Sequence, residues 1–144
     1  MALKVELKPG ERVLIGDSVI TNGGERTRFI VEGTAPILRE KDIMTSERAD
    51  TPAKRIYLAI QLMYISRDPT AHHNIYFQLM RDIVQAAPSA WKYIANINNQ
   101  ILTGDLYKAL KHARKLIEYE QELLTHATSN QGVRRGSTTD RKSA

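Results

Sequence analysis

Over its first 45 residues the chain alternates apolar and polar side chains with a period of two, the mark of half-buried strands. "LKVELK" (3–8) places Leu3, Val5 and Leu7 on one face and Lys4, Glu6 and Lys8 on the other. Pro9-Gly10 turns the chain, because proline presets φ and glycine accepts a positive one. "RVLI" (12–15) and "SVIT" (18–21) flank Gly16-Asp17, the spacing of a two-residue hairpin loop. "NGG" (22–24) makes a further turn, and "RTRFIVE" (26–32) sets Arg26, Arg28, Ile30 and Glu32 opposite Thr27, Phe29 and Val31. Pro36 restricts its surroundings to an edge or a strand start. "ILREKDIM" (37–44) reads either as a last short strand or as a connector.

From about residue 47 the period changes to that of a helix. Thr51-Pro52 combines an N-cap hydroxyl with proline at the first helical position, where its missing N–H costs nothing. The first helix runs to about Ile65, with Ile56, Ala59, Ile60, Met63 and Tyr64 on one face, and Asp68-Pro69 breaks it. A second helix over about 70–87 puts Ile75, Leu79, Ile83 and Ala87 on one stripe, with Tyr76, Met80 and Val84 beside it. A third (89–102) stacks Ala90, Ile94, Ile97 and Ile101 and ends at Thr103-Gly104, a C-cap signal. A fourth (105–127) begins with Asp105, which suits the helix dipole, and lines up Leu106, Leu110, Ala113, Ile117 and Leu124. The predicted fold class is α+β: a small β-rich module over 1–46, then an antiparallel bundle of about four helices over 47–127. The segment "ATSNQGVRRGSTTDRKSA" has no apolar spacing, and its small polar residues predict a disordered basic tail over 128–144.

Composition narrows the possible chemistry. At 144 residues the chain is one domain, or a small domain with an appendage. It has no cysteine, which excludes disulfides and thiolate metal sites. The N-terminus lacks the apolar stretch of a secretory signal. The longest apolar run, "IYLAIQLMYI", is interrupted by Gln61 and falls short of the ~18 residues of a membrane helix. A cytoplasmic protein without membrane contact is expected. Net charge is +5, but the first 45 residues are balanced, with seven basic and seven acidic side chains. The excess sits in the helices and in the tail, which carries Arg134, Arg135, Arg141 and Lys142 against Asp140.

No constellation announces catalysis. His72 and His73 are adjacent, so on a helix they point about 100° apart and chelate poorly. There is no nucleophile elbow, P-loop or H-E-x-x-H motif. "NGGER" (22–26) has no helix N-terminus after it and reads as a hairpin turn. The expectation is a non-enzyme with no catalytic residue, cofactor or metal. The basic residues of the strand module, Lys4, Arg26, Arg28 and Arg39, lie on or beside strands whose edges a small sheet leaves open. An arginine there can meet phosphate or a guanine edge bidentately. Pattern alone favours the blander alternative, a solvated face balanced by Glu6, Glu25 and Glu32. The tyrosines and Trp91 fall on helical stripes, where core packing is the default over base stacking.

Two resemblances change that balance. In order and spacing, "LKVELKPGER", "APILREKDIM", "TPAKRIYLAIQLMYI" and "GDLYKALKHARKLIEYE" resemble the FlbT family of bacterial flagellum regulators across about residues 2–120. The resemblance implies post-transcriptional control through the 5′ untranslated leader of flagellin mRNA, lowering its translation or stability. Within residues 2–44, "KPGERVLIGDSVI", "GERTRFIVEGTAP" and "LREKDIM" are also similar to the carbon-storage regulator family. Its members are small RNA-binding proteins that form strand-exchanged dimers. On that resemblance Arg39 matches an arginine that contacts RNA, and Leu3 and Lys4 match the first edge strand. The expected site is therefore RNA-binding, with Arg39 first and then Lys4, Arg28 and Arg26. The expected partners are the flagellin mRNA leader, a flagellar regulator or flagellin itself, and a second copy of the chain. The alternative is a protein-interaction adaptor whose helices bind flagellin or a partner regulator and affect mRNA only indirectly.

Overall fold

A computed structural model describes residues 2–66 and 68–137, with side chains as far as residue 127. Five strands come first: β1 (Ala2–Leu7), β2 (Arg12–Ile15), β3 (Ser18–Thr21), β4 (Thr27–Glu32) and β5 (Ile37–Arg39). Four helices follow: α1 (Pro52–Ile65), α2 (His73–Ala86), α3 (Trp91–Leu102) and α4 (Leu106–Ser137). The α+β class expected from the pattern is the one found.

The strands form two antiparallel layers. β1 pairs with β4 from Ala2↔Glu32 to Leu7↔Thr27, making a two-stranded ribbon. β2 lies between β3 and β5, with Arg12↔Thr21 to Ile15↔Ser18 on one side and Val13↔Arg39 to Ile15↔Ile37 on the other. The two-residue loop Gly16-Asp17 joins β2 to β3 as its spacing predicts, and Gly16 takes a φ of 61° that side-chain-bearing residues seldom adopt. The ambiguous segment 37–44 resolves into both of its alternatives: β5, then a 3₁₀ turn over Glu40–Asp42.

Period-two alternation explains how these layers stack. Val5, Leu7 and Val13 are buried between ribbon and sheet, with Ile15, Phe29, Val31 and Ile37 packed around them. Leu14 and Leu38, directly paired across β2 and β5, point the other way into the helical core. The middle sheet is therefore apolar on both faces, with the ribbon on one side and the helices on the other.

In α1 the expected face is buried, and the Thr51 hydroxyl accepts a hydrogen bond from the Lys54 N–H at 3.3 Å as an N-cap. Gly104 closes α3 with φ at 82°, and the Asp105 carboxylate caps α4 by accepting from the Lys108 N–H. One buried stripe and one boundary differ from the sequence reading. On α2 the buried stripe is Tyr76 and Ile83, while Ile75 is 57% exposed. Adjacent stripes share the same spacing, and the choice is made by the Tyr76 hydroxyl, which donates to Asn98 of α3 at 2.6 Å. The last helix continues to Ser137, past the end expected at 127. The apolar pattern marks where packing ends, with Leu124 already 51% exposed, whereas helical hydrogen bonding propagates residue by residue without it. The rest of the expected tail, 138–144, lies outside the described residues. No described helix is long and apolar enough to cross a membrane.

Candidate nucleic-acid interface

The strand layers are fastened to the bundle by one stripe of α1. Tyr57, Gln61 and Tyr64 follow at i, i+4 and i+7, so they share a face. The Tyr57 hydroxyl donates to the Asp42 carbonyl at 2.7 Å. The Gln61 amide accepts from the Met44 N–H at 2.7 Å and donates to the Met44 carbonyl at 3.0 Å. The Tyr64 hydroxyl accepts from the Ile37 N–H at 3.3 Å and donates to the Ile37 carbonyl at 3.2 Å.

Beside this seam lies a cleft of about 780 Å³, bounded by the end of the ribbon, β5, α1 and α4. Five cations line it, Arg39, Lys41, Lys111, Arg114 and Lys115, against the carboxylates of Asp42 and Glu118. Arg114 is committed: it pairs with Asp42 at 2.6 Å and donates to the Tyr57 hydroxyl at 3.4 Å. Its pKa is raised, first by the Tyr57 hydrogen bond, so its charge is fixed. Lys41 and Lys115 form no ion pair among the described residues. Lys111 Nζ stands 4.9 Å from the ring centre of Tyr107, a cation–π arrangement.

The aromatic wall is the pair Tyr64 and Tyr107, with ring centres 5.9 Å apart and planes tilted by 45°. Tyr107 is 41% exposed and presents a ring to the cleft. Burial pushes the phenols of Tyr57 and Tyr64 above their ordinary value. These side chains therefore stay neutral and add no negative charge to a cationic cleft. Cations along a groove with exposed aromatic faces are what a single-stranded nucleic acid requires: charge for its phosphates and a surface on which bases stack.

The four basic residues singled out in the sequence do not converge on one spot. Arg39 lines the cleft, and its guanidinium donates to the Lys4 carbonyl on β1 at 3.4 Å. Lys4 and Arg28 lie on the opposite, outer face of the ribbon, because Val5, Leu7, Phe29 and Val31 occupy the inner one. Arg26 is held there by Glu6 at 2.9 Å. That hydrogen bond, then the charges of Arg26, Arg28 and Lys8, hold the Glu6 carboxyl below its ordinary value. The α4 contribution, Lys111, Arg114 and Lys115, went unread in the sequence, where these residues look like an ordinary solvated helix face. Their i, i+3 and i+4 spacing beside Tyr107 was the available signal. Among the described residues, no group of three His, Cys, Asp or Glu is placed to hold a metal ion.

Comparison with known proteins places the chain. The family described as "Flagellar protein FlbT" matches residues 3–124. The chain is 63% identical over 124 residues to the "Probable flagellum biosynthesis repressor protein FlbT 1" of Bradyrhizobium diazoefficiens, covering 85% of each chain. It is 52% identical over 125 residues to a Rhodopseudomonas palustris relative, covering 87% of this chain and 99% of the other. It is 36% identical over 134 residues to the "Flagellum biosynthesis repressor protein FlbT" of Caulobacter vibrioides, covering 90% and 94%. No solved structure matches. The chain belongs to the FlbT family of flagellar proteins.

Proposed function

We propose that this chain is a cytoplasmic, non-enzymatic regulator of flagellum biosynthesis. It acts by binding the 5′ untranslated leader of flagellin mRNA and lowering translation or stability of that message. The regulatory half of the reading is supported by relatives named as flagellum biosynthesis repressors. The RNA half rests on one observation above all, the cationic cleft in which Arg39, Lys41, Lys111 and Lys115 face the Tyr64–Tyr107 wall.

The experiment is a titration of purified protein against labelled flagellin leader RNA, with a scrambled RNA as control. With three or four phosphates neutralised on a single strand, affinity falls roughly 20- to 50-fold between about 50 and about 200 mM salt. Leader-selective binding with that steepness supports the reading, and absence of binding by folded protein overturns it. The function would then move to the exposed apolar side chains of the helices, Ile75, Phe77 and Trp91 among them, and to a protein partner.

A further inference from the structure

A second basic cleft, of about 570 Å³, opens between the Pro9-Gly10 turn and the segment from Glu40 to Arg48. Its charged lining is Lys8, Arg12, Lys41 and Arg48 against Glu11 and Glu40. Both carboxylates are already engaged by main chain. Glu11 accepts from the Lys8 N–H at 2.9 Å, and Glu40 accepts from the Arg12 N–H at 2.7 Å and lies 3.8 Å from the Arg12 guanidinium. Lys8, Lys41 and Arg48 form no ion pair among the described residues, and the Arg48 guanidinium donates to the Ile43 carbonyl at 3.1 Å. Lys41 also lines the tyrosine cleft, so the two share a wall. The lining here has no aromatic side chain. It offers bases nothing to stack on, and what remains is positive charge, which engages phosphate without regard to sequence.

We propose that this second cleft takes the phosphodiester backbone of the same RNA strand where it leaves the tyrosine cleft across Lys41. The two clefts then divide the work: bases are held at Tyr64 and Tyr107, and phosphates of the neighbouring nucleotides at Lys8 and Arg48. This inference rests on the RNA-binding reading above. The test is the slope of log affinity against log salt for the full leader, measured on the whole chain. In the double variant Lys8→Ala/Arg48→Ala the slope becomes shallower by about 1.4, two single-strand phosphate contacts. Affinity for leader and scrambled RNA falls by the same factor, so their ratio is unchanged. The matched control Arg81→Ala/Lys92→Ala removes equal charge from α2 and α3 and keeps the wild-type slope. The single variant Lys8→Glu changes an exposed side chain that forms no ion pair among the described residues, so folding is spared, and it weakens both RNAs further. An unchanged slope in the folded variants overturns the second cleft while leaving the first intact, as does equal flattening in the control. Failure of the wild-type protein to bind any RNA overturns both readings.

Discussion

Gln61 is 4% exposed on a helix whose other inward side chains are apolar or tyrosine, and its amide pairs with both the N–H and the carbonyl of Met44. A leucine there would extend the apolar run but orphan two partly buried backbone groups. Gln61→Leu is therefore expected to lower stability by about 2–3 kcal/mol, measurable as a shift in the urea midpoint. At the same scale Arg39→Ala removes a cleft cation whose guanidinium, among the described residues, bonds only the Lys4 carbonyl. Its expected cost in leader affinity is about 1–3 kcal/mol if it reads a base edge, with the fold intact. Arg39 was singled out in the sequence by a resemblance, and the fold places it in the cleft. Gln61 was not, because a polar residue in an apolar stripe reads as an interruption until the segment that packs on it is known.

At the scale of elements, cap and turn chemistry located boundaries well. Thr51 caps as its position suggested, Asp105, placed for the helix dipole, caps as well, and Thr51→Ala should cost about 1 kcal/mol. A thermal or denaturant melt reads that loss. The first turn of α1 has a second support invisible in sequence: Glu120 of α4 accepts from the Ala53 N–H at 3.0 Å, across 67 residues. What the pattern did not supply was phase and partnership. Periodicity cannot choose between neighbouring stripes of α2, since Tyr76 and Ile75 recur equally well, and a cross-helix hydrogen bond settles the matter. Nor does alternation reveal that β2 and β5 are covered on both faces, because strands that short show only two residues per face.

For the whole molecule, the strand module has, among the described residues, only three fully enclosed apolar residues of its own, Val5, Leu7 and Val13, while Leu14 and Leu38 belong to the helical core. Residues 1–46 made alone are expected to be unfolded, visible as collapsed amide dispersion in an NMR spectrum. Alkaline conditions should loosen the intact chain. Burial raises the phenol pKa values of Tyr57, Tyr64 and Tyr76, so the unfolded state releases those protons first. Their contribution to stability is complete below pH 10 and is lost as pH rises above it. A denaturant midpoint that held steady through that range would contradict the sign.

The seam between strands and helices also bears on how such a protein can drift over generations. On the α1 side it is made of side chains, Tyr57, Gln61 and Tyr64; on the other it is main chain at residues 37, 42 and 44. Replacing Ile37 or Met44 by another apolar residue leaves every one of those bonds available, whereas the three α1 positions have no substitute of equal reach and polarity. A saturation library scored for folding should therefore be permissive on the strand side and strict on the helix side. The segment that carries Arg39 and Lys41 can vary its surface charge without coming loose from its support.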